Sequence, residues 1–192
     1  MTGVALRAEI LDGKWALRLL APQDAEQRLS YLTRNRAFFT PFFPAMASTD
    51  FTLSHQRAIL EEAARECAAD RRYAFGLFGG EGQLVATVTL ANVVRGAWRN
   101  ANLGYSIDQA HAGQGIMTAA VAAVLDFAEG PIGLHRVEAA IMPRNRASIR
   151  VVEKNGFQRI GLSPRYLLIN GRWEDHLLFF RLSARDEPDV PT

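Results

Sequence analysis

The chain has 192 residues, a formal net charge of +2, and 48% apolar against 22% charged residues. That is an ordinary globular balance at a length suiting one domain with a sizeable core, taken here as residues 1–192 with 185–192 as a loose tail. So small a net charge is no footprint for nucleic acid, and the single cysteine, Cys67, excludes an intramolecular disulfide and suits a reducing compartment. No basic stretch leading into an apolar one opens the sequence, and the most apolar run, Ile116 to Leu125, is too short to cross a bilayer. A cytoplasmic protein without a signal peptide, a membrane association or a metal site is therefore expected. In chain order, Lys14 to Leu20 reads as a strand, and Pro22 to Arg36 as a helix with proline in its first turn. Phe38 to Pro44 reads as an aromatic loop, because Pro41 and Pro44 oppose regular structure. Leu53 to Ala69 is helical in pattern, and Tyr73 to Gly79 with Leu84 to Val94 forms an antiparallel pair. Asn102 to Asp108 is a strand, followed by a helix from Gly115 to about Glu129 and a strand from His135 to Met142. Asn145 to Asn155 is a helix that Gly156 closes in a left-handed cap. Arg165 to Asn170 and Arg172 to Leu182 pair about Asn170-Gly171, a strong turn dipeptide. The order predicts an α/β fold with a mixed sheet.

The most informative stretch is Gly104 to Thr118, a strand that runs through Gly113 and Gly115 into a helix. Glycines let the backbone turn without a Cβ clash, and the first helical N–H groups point outward without partners, which suits an anion such as phosphate. A P-loop needs a lysine after the second glycine, and a dinucleotide fingerprint needs a third glycine where Thr118 stands, so neither applies. A tight turn with no ligand remains the structural alternative. Further on, Asn145 is a good helix cap and Ser148 stands three residues into that helix, so capping alone accounts for the pair equally well.

What fits both segments is a resemblance to the GNAT N-acetyltransferases, whose pyrophosphate loop reads Gln/Arg-x-x-Gly-x-Gly/Ala. Here it aligns as Ala112-Gly113-Gln114-Gly115-Ile116-Met117, with Ala112 and Met117 departing from the pattern. Asn145-Arg-Ala-Ser148 followed by Gly156-Phe157 resembles the superfamily's second coenzyme-facing helix. Within it, Asn92-Val-Val-Arg95, Leu103-Gly-Tyr105-Ser-Ile and Tyr166 to His176 are similar to the bacterial ribosomal-protein alanine N-acetyltransferases. The resemblance implies the acetyltransferase fold, with a central mixed, mostly antiparallel sheet flanked by helices. It also implies acetyl-coenzyme A as co-substrate and a protein N-terminus beginning with alanine, possibly ribosomal, as acceptor. It leaves the oligomeric state open.

Carried over residue by residue, the resemblance puts coenzyme on Tyr105, Ser106, Ile107, Gly113, Gln114, Gly115, Ile116, Met117, Thr118, Asn145 and Ser148. The backbone N–H near Ile107 is the implied oxyanion donor. Many superfamily members place a tyrosine acid seven residues after the motif asparagine, but that position is Val152 here. Ser148 is then the candidate to hydrogen-bond the leaving sulfur. Phe42, Phe43, Arg95 and Tyr166 are candidates for the acceptor groove, although phenylalanines beside prolines more often form a local core. No general base stands out; Glu138, Glu174, Asp175, His111, His135 and His176 are all conceivable, and each also suits a structural role. An α-amine of pKa about 7.7–8.0 is roughly a tenth to a sixth neutral at pH 7, against about one in a few thousand for a lysine side chain. A missing base therefore suits an α-amine acceptor. A small-amine or antibiotic acetyltransferase, or a non-catalytic acyl-coenzyme A sensor, would keep the same loop.

Overall fold

The computed structural model describes residues 7–185. The expected tail from 185 to 192 thus lies, beyond Arg185, outside the described residues. The strands are β1 (Arg7–Ile10), β2 (Trp15–Leu19), β3 (Tyr73–Phe78), β4 (Leu84–Val94), β5 (Asn100–Ile107), β6 (Arg136–Ile141), β7 (Gln158–Ile169) and β8 (Arg172–Leu182). The helices are α1 (Ala25–Arg34), α2 (Arg36–Phe39), α3 (Leu53–Ala68), α4 (Ile116–Glu129) and α5 (Arg146–Lys154). The strands form one eight-stranded sheet in the order β1-β2-β3-β4-β5-β6-β8-β7. Every neighbouring pair is antiparallel except β5 with β6, so the sheet is mixed and mostly antiparallel, as expected.

The sheet separates two cores. On one face Val121, Val124 and Leu125 of α4 pack against Phe75, Val88 and Leu103, with Phe127 meeting the rings of Tyr73 and Phe75 edge-on. On the other, Tyr31 and Leu32 of α1 and Leu60 of α3 pack against Leu20, Phe78 and Leu84. Central strands covered on both faces must be apolar on both, which is why β3 is buried along its whole length. Thr52 caps α3 with its hydroxyl, which accepts the His55 N–H, and Asn145 does the same for α5 through Ser148.

Four sequence expectations change. β1 was not anticipated; it is a short edge strand with alternating exposure. The helix expected over 22–36 is a 3₁₀ turn followed by α1 and α2, broken at Asn35. That break has a tertiary cause, because Asn35 donates to Tyr31 O at 2.9 Å and accepts the Gln109 N–H at 3.0 Å. Phe38 and Phe39 consequently belong to α2, and the aromatic loop starts after them. Finally, β7 begins at Gln158, seven residues before the expected start. Its register shifts between Ser163 and Leu167, where Pro164 has no N–H to give and the Arg165 N–H turns to Asp175 Oδ1 at 2.8 Å.

Leu125 is fully buried beneath the sheet. Leu125→Ala should cost about 2–5 kcal/mol, read as a lower urea midpoint at an unchanged slope.

Candidate active site

The site begins where two strands part. Asn100–Asn102 of β5 run beside Arg136–Glu138 of β6, and beyond those rungs the strands diverge. From Leu103 to Ile107, β5 keeps only its β4 neighbour, and Ala139–Ile141 of β6 keep only β8. The Asp108 N–H donates to Val85 O at 2.8 Å, so strand alternation turns the N–H groups of Tyr105 and Ile107 to the opposite, open edge.

The glycine loop closes one end of that opening. Gly113 and Gly115 both have φ of 79°, the left-handed region that favours glycine, and a Cβ at either would meet nothing within 4 Å. Gly115 is the N-cap of α4, and the first helical bond runs from the Ala119 N–H to Gly115 O. The N–H groups before it therefore have no intrahelical partner and sit at the positive end of the helix dipole. Ile116 and Met117 are buried in the core, so they present backbone rather than side chain. Gln114 folds back to donate to Ala110 O at 3.1 Å, and Asn155 ties α5 to the first turn of α4 through Thr118 O at 3.3 Å.

α5 is the facing wall. Asn145 Oδ1 accepts the Ser148 N–H at 3.1 Å, the cap anticipated from the sequence. Across the divergence, the Tyr105 hydroxyl lies 2.7 Å from Ser148 Oγ and 2.9 Å from the Ser148 carbonyl oxygen. Burial pushes the Tyr105 phenol up to about 12, with the Ser148 bond acting the other way. Val152 is fully buried in the core, so its position offers no proton donor and no space for one.

Loop, strand and α5 enclose a cavity of about 260 Å³, whose remaining side is aromatic: Phe38, Phe39, Phe42 and Phe43. Phe39 and Phe43 stack with centroids 4.8 Å apart, and Phe39 also meets Tyr31, so these rings are wall and local core at once. The loop carrying them is fastened at two points. Phe43 O accepts the Asn170 N–H at 3.1 Å, and Arg144 spans Pro41 O at 3.0 Å and Glu174 at 2.6 Å. That Arg144 bond holds the Glu174 carboxyl below its ordinary range. Arg150 and Lys154 line the cavity from α5, and among the described residues no carboxylate does. Lys154 was not singled out from the sequence; its spacing of one helical turn from Arg150 is the signal that finds it.

A second group, of which only Ser106 was expected at the site, supports the β5 end from the α1 face. Ser106 Oγ accepts from the Tyr31 hydroxyl at 2.8 Å and lies 2.9 Å from Thr87 Oγ1. Asp108 receives Arg34 and caps the short turn leading into the glycine loop by accepting the Ala110 N–H at 3.1 Å. Burial would raise the Asp108 pKa, but Arg34, the Ala110 N–H and Asn35 outweigh it and hold the carboxyl below the usual carboxylate range. Long-range contacts of this kind leave no local pattern to read.

The expected coenzyme residues Tyr105 to Ile107, Gly113 to Thr118, Asn145 and Ser148 all line the one cavity, as do Phe42 and Phe43. Arg95 and Tyr166 do not. Arg95 is held by Asp70 at 2.6 Å and by Ile132 O at 2.7 Å, beyond the far end of α4. Tyr166 lies on β7, 41% exposed, with its ring near His176. Trp173, beside the hairpin turn, is 63% exposed. Of the groups considered as bases, Glu138 pairs with Arg136 and Asp175 accepts from the Arg165 N–H, while His176 faces Glu174 O. His111 alone of them lines the cavity, edge-on to Trp15.

Residues 15–158 match the acetyltransferase (GNAT) domain family. The chain is 41% identical over 172 residues to the probable N-acetyltransferase YjcK of Bacillus subtilis, covering 89% of this chain and 95% of that protein. It is similar in structure to the ribosomal-protein-S5-alanine acetyltransferase of Vibrio fischeri, with a TM-score of 0.89 and 30% identity across 96% of this chain and 100% of the other. Mycobacterium smegmatis RimJ, solved with a CoA-disulfide, superposes with a TM-score of 0.86 at 30% identity, over 96% and 88% of the two chains.

A depressed native pKa stabilises above the unfolded carboxylate pKa of about 3.9 and stops doing so as pH falls through the native value. Asp108→Asn should therefore lose about 1.5–3 kcal/mol near neutral pH. The gap to the parent should shrink steadily below about pH 4, followed by urea unfolding across that range.

Proposed function

From the premise that this chain belongs to the GNAT acetyltransferase family, as an enzyme related to the ribosomal-protein acetyltransferases, we propose that it moves acetyl from acetyl-coenzyme A to the N-terminal α-amine of a protein beginning with alanine, a ribosomal protein being the foremost candidate. The observation that carries this reading is a cavity joining a glycine-rich helix N-terminus to an unpaired strand edge, with no carboxylate in its lining among the described residues.

The cavity fits the acetyl donor in three respects. Two left-handed glycines without neighbours where a Cβ would stand make a cradle for pyrophosphate, which the N–H groups of Ile116 to Thr118 would hold. Arg150 and Lys154 add positive charge beside it. The free edge of β5 offers N–H and C=O groups to the amide-bearing pantetheine arm, as an added strand would take them. On this reading the Ile107 N–H faces the thioester carbonyl oxygen and stabilises the charge it takes on as the amine attacks. On the same reading Ser148 Oγ, which lines the cavity, donates to the departing sulfur. Phe42 and Phe43 border the acceptor's approach.

The acceptor follows from charge and acidity. Among the described residues the cavity lining holds no carboxylate to concentrate a polycation, and His111 is its one candidate base. A lysine of pKa about 10.4 depends on such a base far more than an α-amine near 7.7–8.0, which is already partly neutral. Recognition extends over nearly the full length of an enzyme named for ribosomal protein S5 alanine acetylation.

Two outcomes are expected. Acetyl-coenzyme A at about a hundred times Kd should add ~2.7 kcal/mol, or roughly 5–10 °C in melting temperature. Gly115→Glu should abolish that shift, while Gly115→Ala, carrying the same left-handed strain without charge, should keep a reduced one. A shift that survives in Gly115→Glu would sink the loop assignment. A peptide with a free N-terminal alanine should be acetylated, with turnover rising between about pH 7 and 8 as its amine deprotonates. The same peptide blocked at its N-terminus and carrying an internal lysine should be inert, and faster turnover of that peptide or of spermidine would overturn the acceptor.

A further inference from the structure

Tyr105 and Ser148 stand on opposite sides of the strand divergence, on β5 and α5, and their hydroxyls meet across it. The Tyr105 oxygen is 2.7 Å from Ser148 Oγ and 2.9 Å from the Ser148 carbonyl oxygen. A phenol has one proton, so it cannot donate to both. A carbonyl only accepts, which leaves two arrangements. In the first, Tyr105 donates to the carbonyl and Ser148 donates to the Tyr105 oxygen, so the serine proton points away from the cavity. In the second, Tyr105 donates to Ser148 Oγ, and the serine proton is released toward the cavity that both residues line. The two differ only by rotation of two O–H bonds.

We propose that Tyr105 is a positioning residue that acts through Ser148, switching from its carbonyl to its hydroxyl so that the Ser148 proton is aimed at the sulfur of the leaving coenzyme. The inference rests on the acetyl-transfer reading and deepens it, since it concerns how that site meets the departing thiolate. Neither hydroxyl gives up its proton: the coenzyme leaves as a thiolate that solvent then protonates, and the proton lost by the attacking amine passes to water. Ser148 donates a hydrogen bond to sulfur as the carbon–sulfur bond breaks, and Tyr105 replaces the hydrogen bond that Ser148 gave up. The phenol, raised by burial, stays protonated at neutral pH and is suited to a fixed donor rather than an acid. With Val152 fully buried, the donor to sulfur comes from the first turn of α5, at Ser148, and is backed from the strand by Tyr105.

The test is a double-mutant cycle on thiol release from acetyl-coenzyme A. Tyr105→Phe keeps the ring and removes only the hydroxyl; Ser148→Ala removes the proposed donor. Each should lower kcat by about 10- to 100-fold with KM for acetyl-coenzyme A within about twofold, the pattern of an interaction made in the transition state. The double variant should be no slower than Ser148→Ala alone, because Tyr105 acts only through that hydroxyl. Multiplying losses, an unchanged kcat in Tyr105→Phe, or a loss confined to KM would each overturn the proposal. The cycle is read with whichever amine of an alanine peptide, a lysine peptide and spermidine turns over, and on hydrolysis by water if none does, so failure of the N-terminal acceptor is seen separately. Retention of the coenzyme-induced melting shift in each variant shows that folding and binding survive.

Discussion

The whole arrangement depends on one constraint, the parting of β5 and β6 after three rungs of parallel ladder. Backbone N–H and C=O groups are obligatory hydrogen-bonding groups, and a sheet interior normally satisfies them across neighbouring strands. Here the middle of an eight-stranded sheet exposes two facing edges instead. α5 and α4 then flank the resulting cleft rather than sealing it, and the glycine loop falls at its end because β5 leads directly into that loop. The open edge, the helix terminus and the facing Tyr105 and Ser148 hydroxyls thus come together around a single parting of strands.

Holding that break in place falls to groups outside the cavity. Arg34, Asn35 and Tyr31 reach from α1 to the far face of β5, bonding Asp108, the Gln109 N–H and Ser106. Asn155 holds α5 to α4. A strand that has lost one neighbour is fixed from behind, and the ion pair of buried Asp108 with the exposed Arg34 has a positional role there beyond any net stability it adds.

Much of this was legible locally. Gly113, Gly115 and Gly156 announced left-handed backbone; Asn170-Gly171, with both residues at positive φ, announced the hairpin; and Asn145 announced a cap. Such signals are intrinsic to a residue and its immediate neighbours. The residues that fall outside the cavity share the opposite property. Arg95 and Tyr166 sit in segments that resembled acceptor-lining ones, but where an arginine goes depends on which carboxylate the fold brings near, and Asp70 is 25 positions away in sequence. The helix break at Asn35 answers to Gln109, 74 positions on. The Tyr105–Ser148 contact, 43 positions apart, was likewise invisible, although both residues were singled out separately.

The placement of β8 has a consequence for how the chain is made. β8 comes last in the chain order yet lies between β6 and β7, so neither of those strands has its full complement of partners until residues up to Leu182 are available. β1 to β5, by contrast, are neighbours in sequence order and can zip together as they emerge. During synthesis, therefore, the glycine loop and its strand can form before β8 is available, while β6, beside α5, gains its second neighbour only once residues up to Leu182 have emerged. The two facing edges of the cleft are thus completed at different times, the β5 edge from sequence neighbours and the β6 edge only with the last strand.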